Sequence, residues 1–545
     1  MIIPDLTNPH LPGLLLIGFF LYVETHYRIG RLPSRYFRRR PEILFDIPHR
    51  IAPGADLPLL LIIKDADRYP VVITEISAAV KKGDEIIYTT RLARNDETVD
   101  QPLWWRLFHL PVHGIEGTAT VEPLLTGRCN GRRIQVRVDN YPSLSHTPLQ
   151  CRFDQDPLPG SERWLFGDLH YHSHLTSDQV EFGAPPAAAA AMAEAMGLDF
   201  MAVTDHSYDL DDRWDDYLRN DEELGKWKWL QEFTRAWNAA GKRPIILAGE
   251  ELSAGNSRGR NVHFLIYNEP AFFPGWGDSA EKWLQTRPQW TISGVLDKLS
   301  PQGLAFAGHA ATPPPRLQRL FLGRDHWRAA DYDHPRLDGV QMWNSRHDPG
   351  FARGLAVWQK LLLAGRRPVL IGGNDAHGDF GRWRQIAIPF ISLQEREEHL
   401  FGQVRTGILR PAGPAGLDTL LHALRSGRCL VTSGPSLGLE LIPETGPPCT
   451  PGDSCTCLPR RLLIQADSTP EFGPLTRVTL CIGDLHRQKE TRRSLLIGPA
   501  GSMNFTLDEP ARELPGLGYL RLEVSSERDG IPFHCFSNPV FLAWR

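Results

Sequence analysis

The chain has 545 residues, 41% hydrophobic and 23% charged, an ordinary balance for a soluble globular protein of two to four domains. Its net charge of -4 gives no broad basic field, which weighs against nucleic acid as partner. The eight cysteines suit either disulfides or reduced thiols, and Cys455-Thr-Cys457 lacks the second pair or nearby His that a zinc site needs.

Residues 1–41 form an apolar run followed by a basic one. Leu11 to Val23 is too short for a spanning helix, which needs about 20 residues. Arg28, Arg31, Arg35, Arg38, Arg39 and Arg40 follow it, the reverse of a secretory signal. Two readings stand: a helix lying on an anionic membrane face, or a helix packed on the protein's own surface. The expected location is the cytoplasm with possible membrane-surface attachment, and nothing in the sequence excludes the periplasm.

Residues 42–160 read as all-β. Leu57 to Ile63, Val71 to Thr74, Glu85 to Tyr88 and Ile134 to Val138 are short branched apolar runs separated by Pro, Gly, Asp and Asn, the spacing of a sandwich. From 161 to 435 strands alternate with helices. The predicted strands begin near Trp164, Asp199, Pro244, Val262, Leu304, Leu337 and Pro368. The predicted helices cover 185–196, 226–240, 291–299 and 351–364, with a last one at 417–426. Seven strands, most separated by helices, predict a parallel α/β arrangement. Residues 436–545 return to strands and turns and predict a second β-sandwich.

The chemistry-bearing residues fall at the ends of the central strands. His170 and His172 stand two apart after strand one, so they share a face. Asp178 follows. His206 comes after strand two, Glu250 and Glu251 after strand three, His263 within strand four, His309 after strand five, and Asp375 and His377 after strand seven. In parallel barrels that rim carries the active site. Six imidazoles and three carboxylates are too many for one ion and suit two or three sharing a bridging carboxylate. Mixed nitrogen and oxygen ligands suit Zn, Mn or Fe. Arg346, after strand six, is a candidate anion clamp, and His347 a candidate proton shuttle. Arg258, Arg260 and Arg382 are weaker anion candidates. Tyr208 to Leu224, dense in acids and aromatics, reads as a lid or a solvated loop.

These motifs, Asp168-Leu-His-Tyr-His-Ser173, Ser177-Asp178, Thr204-Asp-His206, Gly249-Glu-Glu251, Gly308-His309 and Asn374-Asp-Ala-His377, resemble in order the PHP (polymerase and histidinol phosphatase) family. Leu424 to Pro435 resembles its carbaryl-hydrolase-like branch. The resemblance implies a distorted seven-stranded TIM-like (βα) barrel, flanked by the two β-sandwich-like domains, with two or three divalent ions. It implies His170, His172, Glu251 and Asp375 on a first ion, Glu251 bridging to a second with His263 and His309, and Asp178, His206 and His377 on a third. Gln179 departs from the family's Gly after Asp178. Glu250 stays an alternative to Glu251, and His174 to Asp178. The implied activity is a metal-dependent hydrolase, a phosphoesterase using a metal-activated hydroxide on a small anionic ester. The alternatives are a hydrolase of carboxyl esters, carbamates or amides, and a non-catalytic metal-stabilised binding protein.

Overall fold

The computed structural model describes residues 40–141, 146–176, 182–278, 286–314, 316–346, 348–382, 385–388, 391–394 and 399–544. The apolar run Leu11 to Val23 therefore lies outside the described residues, as do Asp178 and His347. Among the described residues no helix is long and apolar enough to cross a membrane.

The N-terminal region is a two-layer β structure. A three-stranded antiparallel sheet (Glu42–Asp46, Leu57–Lys64, Leu103–Leu110) faces a seven-stranded sheet built around Val71–Lys82 and Gly117–Cys129. Leu57, Leu59, Leu61 and Ile63 enter the core between these layers, with Ile73, Ile76, Val121 and Leu125. Leu60 and Ile62 point the other way, into the core that holds the helix Pro186–Met196. Both faces of this strand are covered, so its sequence is apolar without alternation. The helix is rich in Ala, and small side chains let it lie close against that strand.

The central strands are β1 (Trp164–Asp168), β2 (Phe200–Val203), β3 (Ile245–Gly255), β4 (Asn261–Tyr267), β5 (Leu304–Ala307), β6 (Gly339–Asn344) and β7 (Val369–Gly373). They neighbour one another in chain order. The expected seven-stranded (βα) barrel is nevertheless corrected by the topology. β4 runs antiparallel to both β3 and β5. The chain between β3 and β4 is only Asn256 to Arg260, whereas a parallel crossover needs about a dozen residues or more. The ladder also fails to close. β1 pairs on its other side with β8 (Arg405–Leu409), β8 with β9 (Cys429–Thr432), and β9 with the C-terminal strand Ile531–Ser537. The central strands thus form one end of a 15-stranded sheet that runs on into the C-terminal region. Among the described residues strands far outweigh helices, so this part of the molecule is mostly β rather than α/β. The C-terminal region adds a facing sheet of Ser436–Pro443, Pro459–Asp467 and Ser502–Asp508 and is sandwich-like. The eight cysteines are free thiols.

The sheet curls, and side chains fasten its open edge where a ladder is missing. Among the described residues β7 has a ladder only with β6. Its other edge is held by Asn538, which accepts from Leu370 N at 2.7 Å and donates to Leu370 O at 2.9 Å and Cys429 O at 3.1 Å. Thr406 Oγ1 exchanges hydrogen bonds with Gly372 N and O, at 3.0 and 2.9 Å. The buried Asp168 carboxylate takes Asn374 Nδ2 at 2.7 Å and the amides of His170 and Gly402 at 3.1 and 3.0 Å. Burial raises this carboxyl to about 6 against the lowering effect of those donors. These contacts fix the end of β7 beside the end of β1.

Asn538→Ala removes three buried hydrogen bonds at roughly 0.5–1.5 kcal/mol each and should destabilise the sheet edge by about 2–4 kcal/mol. The checks are the thermal midpoint and hydrogen exchange at the Leu370 amide. An unchanged midpoint with full protection of that amide would contradict the clasp.

Candidate metal centre

Past β1 the chain stays extended. Tyr171 turns into the apolar core, and its neighbours His170 and His172 turn together to the opposite side. Asp205 fixes the next turn by accepting from Ser173 N and Oγ (both 2.7 Å) and from Thr176 N and Oγ1 (3.0 and 2.9 Å). On β3 the alternation separates the two adjacent glutamates. Glu251 enters the histidine cluster, whereas Glu250 accepts from Ser207 Oγ and Phe273 N and is raised by burial to about 8. Ser253, two residues beyond Glu251, sits opposite His263 in the β3–β4 ladder, which puts Glu251 and His263 on one face. His309 and Asp375 arrive with φ of 24° and 54°, so the backbone bends sharply as it leaves β5 and β7.

Glu251 lies at the centre with its side chain fully buried. Five imidazole nitrogens surround its two oxygens. His170 Nε2 is at 3.3 Å, His172 Nε2 at 3.3 Å, His206 Nδ1 at 3.0 Å, His263 Nδ1 at 2.6 Å and His309 Nε2 at 3.0 Å. Asp375 Oδ1 is 3.0 Å from His172 Nε2 and 3.3 Å from His170 Nε2. The two Nε2 atoms are themselves 3.2 Å apart. Donors sharing one ion at about 2.0–2.2 Å stand about 2.9–3.5 Å from each other. The His170, His172 and Asp375 donors have that spacing, Glu251 keeps it to both rings through its two oxygens, and ligand atoms of all four lie within 4.8 Å of one another.

Hydrogen bonds orient these rings. Gln341 Oε1 accepts the His309 amide at 3.1 Å, so it is an acceptor and His170 Nδ1, at 3.0 Å, donates to it. The lone pair of His170 is then on Nε2, toward the cluster. Likewise His377 Nδ1 donates to Asp375 O at 3.1 Å, and this ring stacks on His172 at 4.2 Å. His172, His206 and His377 make a second ligand-like group, and His206, Glu251 and His263 a third. His206 therefore belongs to both sides of the cluster, not only to the ion shared with His377. His263 fits less simply. Arg324 Nη2 donates to its Nε2, which places the ring hydrogen on Nδ1, against Glu251. Ligation through Nδ1 requires the other tautomer and a displaced Arg324.

The electrostatics suit a cation. Burial would lower His170, but the Asp375 and Glu251 carboxylates outweigh it and hold the ring up at about 9. Burial would raise Glu251, yet His263 and His170 keep it well below its ordinary value. Asp375 is likewise held low by His170 against burial. Burial lowers His309. Asp375 and His309 are the partly exposed members, at 21% and 18%, and both line a 280 Å³ cavity with His377, Asn344, His399 and Arg324.

Other candidates fall elsewhere. Arg346 lines a different cavity, its guanidinium 5.0 Å from the Phe533 ring, and so is not brought to the ligand cluster. Ser345, with φ 67°, turns the chain between Asn344, which donates to Asp375 Oδ2 at 3.2 Å, and Arg346. His174 lies against Trp229 and Trp214, and burial lowers it to about 4. Arg382 pairs with Asp139 at 3.3 Å in the N-terminal interface. Tyr208 stacks on His206 at 4.7 Å, so the acidic segment does border the cluster. Gln341, Asn344, Arg324 and His399 escape sequence reasoning. The first two are visible only as polar residues on a strand otherwise apolar.

No protein-family model and no curated protein matches the chain. Solved structures give distant likenesses. A glycosyl hydrolase family 2 member from Bacteroides cellulosilyticus is 9% identical, with 92% of this chain and 63% of that one covered and a TM-score of 0.18. A putative beta-galactosidase from Bacteroides fragilis is 8% identical, with 92% and 73% covered and a TM-score of 0.17. Trypsin-activated alpha-2-macroglobulin from Escherichia coli is 9% identical, with 94% and 25% covered and a TM-score of 0.15. At such scores none of them carries an argument about fold or activity.

Glu251→Gln should abolish tight divalent-ion binding, whereas Glu250→Gln should leave it within about threefold. Gln341→Leu should weaken it by about 10–100-fold, because the His170 ring loses its acceptor. Titration with Mn²⁺ or Zn²⁺ against a chelator reads all three. Equal affinities for the two glutamate variants would contradict the central place of Glu251.

Proposed function

We propose that the chain is a multinuclear metal-dependent hydrolase acting on an anionic phosphoester. The observation that carries this reading is the buried Glu251 carboxylate with five imidazole nitrogens within 3.3 Å of its oxygens. A carboxylate bridging two cations, with neutral imidazoles as the other ligands, would account for the convergence of these rings, with His263 needing its other tautomer. His170, His172, Glu251 and Asp375 would hold one ion, and Glu251 with His206 and His309 would meet a second, joined by His263 in its other tautomer. Bound divalent ions lower the pKa of a coordinated water from about 15.7 toward roughly 7 and so make a hydroxide available near neutral pH. A purely structural zinc site closes on four ligands, and this cluster offers more, with His263, His309, Asp375 and His377 lining a cavity.

The surroundings favour a phosphoester over a carboxyl ester. Arg324 and Asp325 join the cavity to a 720 Å³ groove lined also by Arg258, Arg260, Arg316, Arg319 and Arg328, with Asp325 as its one acid. Guanidinium forks match phosphate oxygens. Arg324 would orient the scissile group from the His263 side. Asn344 keeps Asp375 aimed inward by donating to its Oδ2. His399 donates from Nδ1 to Asn374 O at 2.8 Å, which leaves Nε2 of this cavity-wall ring as the atom able to exchange a proton with the leaving oxygen. Hydrolysis adds hydroxyl to phosphorus and the proton to that leaving oxygen.

Purified protein supplied with Mn²⁺, Zn²⁺ or Fe²⁺ should turn over p-nitrophenyl phosphate or bis(p-nitrophenyl) phosphate. Chelation should abolish turnover, and His172→Ala should lower it by about a hundredfold or more. Full activity in His172→Ala would end the proposal. Turnover of naphthyl esters with none of phosphoesters would select a carboxyl-ester, carbamate or amide hydrolase instead.

A further inference from the structure

A second cavity, of 240 Å³, lies where the N-terminal layers, the central sheet and the C-terminal region meet. Its wall includes Arg152 from the N-terminal sheet, Arg346 after β6, Arg405 of β8, and Ser433 and Arg528 from the C-terminal side. Glu471 is the carboxylate among the lining residues, and Arg50 already binds it through Nε and Nη2, at 3.0 and 2.9 Å. Arg152 is engaged by Asp154 at 2.7 Å.

Arg405 is the anomaly in this wall. It is 2% exposed. Its Nη1 donates to Gly402 O at 3.0 Å, and the Phe472 ring lies 5.4 Å from the guanidinium. Nε and Nη2, the two donors along one edge of the guanidinium, are buried without a hydrogen-bond partner. That edge is the fork that takes a carboxylate or phosphate with two parallel hydrogen bonds. The Glu471 carboxylate, which Arg50 already binds, offsets part of the Arg405 charge, but neither donor of the fork bonds to it. Burial and the nearby Arg50 already lower Arg405 to about 10. Ser433, also in the lining, accepts through Oγ from His534 N at 3.1 Å, which leaves its hydroxyl hydrogen to donate.

We propose that this junction is a binding site for a small oxyanion, a phosphate or a carboxylate, held bidentately by Nε and Nη2 of Arg405, with Ser433 and Arg346 of the same cavity lining adding donors. The site is separate from the ligand cluster and does not depend on the hydrolase reading.

Calorimetric titration of the full-length protein in chloride buffer tests it, with inorganic phosphate in one arm and succinate in the other. One or both should bind wild type and His172→Ala alike, and whichever is tighter gives the ligand's class. Arg405→Met should weaken that binding at least tenfold while its anion-free thermal midpoint stays level or rises, since a buried guanidinium edge with no hydrogen-bond partner is gone. If the Met variant does not fold, Arg405→Lys, which keeps the charge without the fork, should bind at least fivefold more weakly. The proposal is overturned by the absence of binding up to about 10 mM. It is equally overturned by undiminished binding in the Arg405 variants, or by binding that disappears in His172→Ala, which would place the anion at the ligand cluster.

Discussion

The Glu251 carboxylate is the constraint around which the central region is arranged. It is wholly enclosed, and rings from β4 and the segments after β1, β2 and β5 converge on it. A buried carboxylate is tolerable only when compensated. Protonated rings can provide that compensation, which is why His170 is held up at about 9. Divalent ions do it better, because each replaces several protons and takes neutral imidazoles as ligands. The same charge arrangement therefore favours ions over protons as pH rises toward neutrality.

Holding these side chains within hydrogen-bond distance demands a rigid rim, and the open sheet must provide it without a closed ladder. Asp168, Asn374, Thr406 and Asn538 supply polar fasteners between β7 and its neighbours across the gap. Positive φ at His309, Ser345 and Asp375 marks where the backbone bends to deliver ligands or their supports. Each such conformation costs of order 1–3 kcal/mol and persists where surrounding contacts over-determine it. Ser345 has a double effect. It keeps Asn344 on Asp375 and sends Arg346 to the interdomain cavity.

Much of the site was legible in the sequence because period-two alternation places His170 and His172 together whatever the wider topology. Alternation also explains why the sequence could not choose between Glu250 and Glu251 without knowing which face of β3 is interior. The barrel expectation failed for a local reason. The strand signals were found nearly where the strands are, but the short Asn256–Arg260 connection reverses β4, and the partner of β1's second edge, β8, lies far along the chain. Strand order and direction depend on connection length and distant pairing, which residue patterns report poorly. Arg346, expected beside the ligand cluster as an anion clamp, lines a different cavity, because one left-handed residue before it redirects the chain.

The central claim is that Glu251 bridges cations held by the strand-end histidines. Crystals grown with Mn²⁺ and measured by anomalous diffraction test it most directly. The account predicts a peak about 2.0–2.3 Å from His170 Nε2, His172 Nε2 and an Asp375 oxygen, and a second peak about 3.5–4 Å away across Glu251. A map with no peak among these side chains, and with the His170 and Glu251 positions unchanged, would contradict it.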